Sequence, residues 1–309
     1  MSKVVLLTGG VGGAKLALGL EAVLDPADLT SIVNTGDDFV HLGLAISPDI
    51  DTLAYTLSGK ASVANGWGRE DESWAFMATL RELGGEDWFL LGDRDLALHT
   101  IRTGALKRGE SLSAITARLA RALGVRSAIV PMSDHIVSTF VDTDEGPLAF
   151  QRYFVERRCA PAVHAIRFEG AAAARPAPAA LAALADPSLR AILIAPSNPF
   201  LSVDPILAVP GFAKALRAAK APIVAVSPLV DGKAVKGPTS KLMAELAIAA
   251  SHASIAAHYD GIIDGLLIDR PDAGAPLSIA FAETDTMMVS AADKARVARA
   301  ALALADSLA

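Results

Sequence analysis

Val4-Val5-Leu6-Leu7-Thr8-Gly9-Gly10-Val11-Gly12-Gly13-Ala14-Lys15 carries a short apolar run into a cluster of glycines. Leu16, Leu18, Leu20, Val23 and Leu24 then recur at roughly helical spacing, so the stretch predicts strand, tight turn, helix. Glycines at such a junction let backbone N–H groups approach an anion, and the helix start adds a favourable field. A tight turn with no ligand is the plain alternative. The segment departs from the Walker pattern, because Lys15 follows Ala14 and precedes Leu16.

Leu29 to Val33 is a second apolar run, ending in Asn34-Thr35-Gly36-Asp37-Asp38, residues that favour turns and caps. The order strand, helix, strand predicts a parallel sheet. Further runs at Ala128–Pro131, Ala191–Ala195, Ile223–Val226 and Gly261–Ile268 extend it. The fold class expected is α/β, a Rossmann-like doubly wound, mostly parallel sheet in one nucleotide-binding domain over 1–309. Periodic segments at about 67–123 predict a helical insertion, and Val137–Asp142 with Leu148–Tyr153 predicts a β-hairpin. Ala171–Ala185 reads as a variable surface helix, and Ala291–Leu308 as an amphipathic helix on one sheet face.

Composition narrows the function classes. In a chain of 309 residues 52% are apolar, enough for a large core. The mean hydropathy of +0.40 owes much to alanine, and no run of about 18 apolar residues escapes charge or Gly/Pro punctuation. The N-terminus lacks a signal-peptide cleavage pattern. One cysteine, Cys159, permits no internal disulfide, and a cytoplasmic location fits. A net charge of −6 with dispersed basic residues disfavours duplex nucleic acid as a partner. Nothing in the chain calls for a membrane.

Asp37, Asp38, Asp49 and Asp51 are close in sequence and can meet at one sheet edge. Hard cations such as Mg²⁺ take a few carboxylates plus substrate phosphates; capping by Asp49 or plain solvation is the alternative. In Gly92-Asp93-Arg94-Asp95, Arg94 can clamp a phosphate, or simply form a surface ion pair. His99 nearby fits a structural role more readily than a catalytic one. Ala195-Pro196-Ser197-Asn198-Pro199 and Ser227-Pro228 follow buried runs, where open α/β sheets bind ligands, and Asn198 offers an amide to a base or sugar. Lys233, Lys236, Gly237 and Pro238 precede a helix start.

Together with Ser47-Pro48-Asp49-Ile50-Asp51-Thr52, Pro131-Met132-Ser133-Asp134 and Lys236-Gly237-Pro238, these segments closely resemble the 2-phospho-L-lactate transferase family of coenzyme F(420) biosynthesis, in the same order and over nearly the whole chain. The resemblance implies that the ribityl hydroxyl of the deazaflavin Fo attacks the phosphate attached to lactate or enolpyruvate in a guanosine diphosphate-linked donor, releasing GMP. It implies Asp49 and Asp51 as Mg²⁺ ligands, Asp37 and Asp38 near the Fo hydroxyl, and Arg94 on the transferred group. Gly9, Gly10, Gly12, Gly13 and Lys15 would face phosphates; Asn34, Ser197, Asn198, Lys236 and Gly237 would complete the substrate site. Val11 stands where many relatives carry threonine, so the loop offers backbone amides and no hydroxyl there. A homodimer is expected from the apolar, alanine-rich surface. Two other readings stay open: a nucleotide-sugar-binding regulator resembling the gluconeogenesis-factor-like proteins, and an NAD(P)-dependent oxidoreductase. Against the second, Asn34 stands where a dinucleotide site wants an acidic residue.

Overall fold

The computed structural model describes residues 2–62, 67–231, 233–234, 238–270 and 277–309. Its first strand, Lys3–Thr8, runs directly through Gly9 into helix Gly10–Glu21. The strand pairs in parallel with Leu29–Val33 on one side and Leu189–Ile194 on the other. Ala128–Pro131 extends the sheet beyond Leu29–Val33, while Ile223–Val226, Gly265–Ile268 and Ala280–Glu283 extend it the other way. All seven strands are parallel. The chain thus builds from the centre to one edge, crosses over, and builds to the other. This is the doubly wound arrangement expected from the first crossover.

Both faces of the sheet are covered, which is why the central strands are continuously apolar. Val4 and Leu6 point to one side, where Leu16, Leu20, Leu193 and Leu302 bury them beneath the first helix and the C-terminal helix Ala291–Leu308. Val5 and Leu7 point the other way, against Ile192, Ile194, Phe200 and Phe212. The C-terminal helix starts on a capping box between Ser290 and Asp293. Among the described residues no single helix is long and apolar enough to cross a membrane.

Three helices fill 75–123: Ala75–Glu82, Asp93–Lys107 and Leu112–Leu123. The last lies on the sheet beside Ala128–Pro131. The first two join the small hairpin Phe39–His41/Leu44–Ile46 around a separate cluster of Ile46, Met77 and Leu91.

The predicted hairpin forms between Ser138–Thr143 and Gly146–Ala149, and a third strand, Val163–Glu169, pairs alongside. Its second strand ends at Ala149, short of Tyr153, because Arg152–Glu156 turns helical and buries Tyr153. Ala171–Ala185 is not a surface helix. It is a short turn followed by helix Pro178–Leu184, and Ala171, Ala177, Ala180 and Leu184 are core residues. Alanine is small enough to bring this backbone close to the sheet, which an alanine-rich composition does not distinguish from exposure.

Candidate active site

At the reversal of strand order, the carboxyl ends of Lys3–Thr8 and Leu189–Ile194 lie side by side and their following segments leave for opposite faces. Such a divergence opens a crevice. Here it is a cavity of about 890 Å³, lined by Gly9, Gly10, Val11, Gly12 and Lys15 from one loop and by Pro196, Ser197 and Asn198 from the other. The two loops are tied together: the Ser197 hydroxyl donates to the Gly9 carbonyl at 2.6 Å and accepts the Gly9 amide at 3.3 Å. Gly10 has φ +64°, a left-handed conformation that a side chain resists. At Gly12 a Cβ would stand 2.7 Å from the Pro196 carbonyl oxygen. Gly13 packs against Thr8 and Ser197 and is not part of the cavity wall.

The carboxylates come next. Helix Pro48–Leu57 starts on its proline, with Asp49 and Asp51 in the first turn, where the helix dipole favours negative charge. Asp49 accepts the Gly10 amide at 2.7 Å through Oδ1 and the Asn34 amide at 3.0 Å through Oδ2. The same Asn34 Nδ2 donates to Asp37 Oδ1 at 2.8 Å, and the Asn34 carbonyl accepts the Gly36 amide at 2.7 Å. Asn34 is fully buried, so it orients the two acids from behind. Burial, with the Asp49 charge second, pushes Asp37 well above the usual carboxylate range. Burial likewise raises Asp49 to about 6, although Asn34 and the Gly10 amide pull the other way.

Asp38 and Asp51 are held by other partners, Asp51 at the cavity wall and Asp38 behind it. Asp38 accepts the Ser47 hydroxyl at 2.7 Å and does not line the cavity. Asp51 is bound on both oxygens by Arg102, which is 1% exposed. Arg102 thus neutralises the Asp51 charge within the wall, whereas Asp49 and Asp37 share Asn34 as their common donor. Arg94 is also apart from the cavity. It is about half exposed, and its guanidinium lies 3.8 Å from Asp71. Helical geometry is the reason: Asp95, His99 and Arg102 share one face of Asp93–Lys107 at i, i+4 and i+7, and Arg94 does not. That stripe is visible in the sequence once a helix is assumed, and it is the signal that the motif Gly92–Asp95 obscures.

Asn198 lines the cavity, but its side-chain oxygen caps the turn Pro199–Val203 by accepting the Phe200 and Leu201 amides at 3.0 and 3.1 Å. Its Nδ2 donates to Thr239 at 3.0 Å. The amide is therefore largely committed to the fold instead of being presented to a base. Lys15 reaches across to the Met288 carbonyl at 2.8 Å. Lys236 and Gly237 lie outside the described residues.

The far wall is aromatic, with Trp67, Trp88, Phe89, Phe150 and Phe154 all facing the cavity. Phe150 and Phe154 stack at 5.4 Å, and Arg152 sits 4.3 Å over the Trp88 ring. Arg158 lines the same side with φ +50° and has no hydrogen bond or ion pair among the described residues. Sequence reading missed these residues because they come from distant crossovers.

A glycine turn at a switch point, a buried acidic pair and an apolar wall define a doubly wound α/β enzyme built for a phosphorylated substrate. The chain matches, over residues 4–305, the family described as 2-phospho-L-lactate transferase CofD, and it belongs to that family. Proteins named phosphoenolpyruvate transferase are similar to it along their whole length. That of Kitasatospora aureofaciens is 42% identical over 99% of this chain and 98% of its own, and that of Streptomyces coelicolor 38% identical over 99% of both. One from Mycobacterium sp. strain KMS is 36% identical over 98% of both. In fold, a Bacillus halodurans protein of the UPF0052 family superposes with a TM-score of 0.63 over 98% of this chain and all of its own, at 17% identity.

Proposed function

We propose that this protein transfers the phosphorylated three-carbon acid, enolpyruvyl or lactyl, from a guanosine diphosphate-linked donor to the terminal ribityl hydroxyl of the deazaflavin Fo, releasing GMP, in coenzyme F(420) biosynthesis. The observation that carries this reading is the meeting, in one cavity, of the Gly9–Gly12 turn with the Asp37–Asn34–Asp49 cluster. The relatives named phosphoenolpyruvate transferase favour enolpyruvate as the acid.

The residues fit a divalent ion. Asp37 and Asp49 are acids whose proton affinity burial has raised, a cost that a cation would relieve. Mg²⁺ suits them, because it uses one or two carboxylates and completes its shell with phosphates and water. When bound there it would neutralise charge on the diphosphate. Everything else is done by the chain. The backbone at Val11 and Gly12 opens a helix, where amides lack intrahelical partners and can receive phosphate oxygens. Ser197 holds Gly9 in place for this, and Lys15 adds a cation at the same end. The aromatic wall is suited to a flat ring system such as a deazaflavin. Arg158 is placed for a carboxylate, and we assign it to the acid of the donor. Phosphoryl transfer rewards positioning over covalent participation, so these are holding roles.

Exposed Val40, Leu83, Ile136 and Val289 support a homodimer, and the single cysteine supports a cytoplasmic setting. The test is incubation with Fo, each guanosine diphosphate-linked acid and Mg²⁺, following GMP and phosphorylated Fo by chromatography. Formation of both with the enolpyruvyl donor is expected. Binding of a UDP-sugar with no turnover would move the protein to the regulator class, and bound NAD(P) to the oxidoreductases.

A further inference from the structure

We propose that Arg102 is a positioning residue: a fixed internal cation that stands where a second divalent ion would otherwise sit, and that presents Asp49 to its metal-binding partner Asp37. This rests on the transferase reading above and on that acidic pair. Asp51, Asp95 and His99 each offer a ligand atom, all within 4.8 Å of one another. By residue type and spacing they make a ready cation site beside the cavity they line.

The arginine fills it. Its Nη1 donates to Asp51 Oδ2 at 3.0 Å and to the Ala45 carbonyl at 3.3 Å, its Nη2 donates to Asp51 Oδ1, and Nη1 lies 3.3 Å from His99 Nδ1. On the other side of the ring, His99 Nε2 lies 3.1 Å from Asp95 Oδ2, and the Tyr55 hydroxyl donates to Asp95 Oδ1. A planar guanidinium matches a carboxylate on both oxygens in a way a lysine cannot. With Arg102 on both Asp51 oxygens and its positive charge beside His99, a metal ion would have to compete for Asp51 and would meet an unfavourable field there.

The network also joins two helices. Asp51 and Tyr55 belong to Pro48–Leu57, while Asp95, His99 and Arg102 belong to Asp93–Lys107. Asp49 lies two residues before Asp51, hence roughly 200° around the same helical turn. Clamping Asp51 on one side therefore sets the rotation that aims Asp49 at Gly10 and Asn34 on the other. Buried ion pairs are poor stabilisers compared with apolar packing, so a positional role accounts better for a fully buried arginine.

The experiment is Mn²⁺ titration of the nucleotide-free protein, read by electron paramagnetic resonance of the free ion, with thermal unfolding alongside. Wild type is expected to bind one ion per chain, and His99→Ala to leave that number at one. Arg102→Lys is expected to weaken Mn²⁺ binding by about tenfold, the usual effect of removing a group that orients a ligand. The pair Asp51→Asn with Arg102→Met should regain thermal stability lost in Arg102→Met alone, and yet bind Mn²⁺ as weakly as the lysine variant. Two ions in wild type, one of them lost in His99→Ala, would overturn the proposal. So would Mn²⁺ affinity that is unchanged in Arg102→Lys, or that recovers with stability in the double variant. Asp49→Asn separates the two readings. If it binds Mn²⁺ like wild type, the acidic pair itself is wrong and both fall; if it abolishes binding while Arg102→Lys changes nothing, only the role of Arg102 falls.

Discussion

Asp49 is the residue whose protonation has the largest readable consequence. Its carboxyl, raised to about 6 by burial, binds a proton in the folded state at pH values where an unfolded aspartate has lost it. Stability of the metal-free protein therefore declines as pH rises from the ordinary aspartate range through 6, by roughly 3 kcal/mol for this group at neutral pH. Asp37 pushes in the same direction. In EDTA, Asp49→Asn should melt above wild type at pH 7.5 and lose that advantage near pH 4. Thermal unfolding across pH checks it, and equal midpoints at pH 7.5 would contradict the burial account. Arg94 gives the opposite kind of prediction. Being half exposed and, among the described residues, paired with Asp71 alone, its change to alanine should leave kcat/KM within about twofold, as for surface pairs generally. A steady-state assay with both substrates decides whether a surface role is correct.

Elements show what can be read from sequence and what cannot. The strand Val4–Thr8, the glycine turn and the acids at 37, 38, 49 and 51 were legible because each depends on local pattern: an apolar run, a cluster without Cβ atoms, a Ser-Pro-Asp helix start. The division of labour among the acids was not. It follows from which way a helical turn is rotated, and that is set by Arg102 from another helix. Residue type alone likewise does not say how much of Asn198 is spent on a cap, or that Arg94 turns to solvent. The aromatic wall assembles from segments near 67, 88 and 150 that no short motif connects. Close packing of the first and last helices offers a further prediction. At Gly19 a Cβ would stand 2.6 Å from the Lys294 carbonyl carbon and closer still to its oxygen. Gly19→Ala should lower stability by about 1–3 kcal/mol through overpacking, outweighing the gain of up to about 1 kcal/mol in helix propensity. Urea unfolding measures the difference, and a stabilised variant would show that the helices can part without cost.

Across the whole molecule, a net charge of −6 and a cavity walled by buried acids repel a diphosphate. Donor binding should therefore depend on a divalent ion, with affinity falling at least about tenfold when Mg²⁺ is replaced by EDTA; calorimetric titration of the donor in each condition provides the measurement. The aromatic wall comes from two crossovers, and the one that carries Trp67, Trp88 and Phe89 also carries Asp37 and Asp49. Phe150, Phe154 and Arg158, by contrast, belong to the next crossover, which holds neither the glycine turn nor the acids. Exchanging that second segment alone would thus let descendants of this chain accept different flat partners while the glycine turn and the acidic pair stay unchanged.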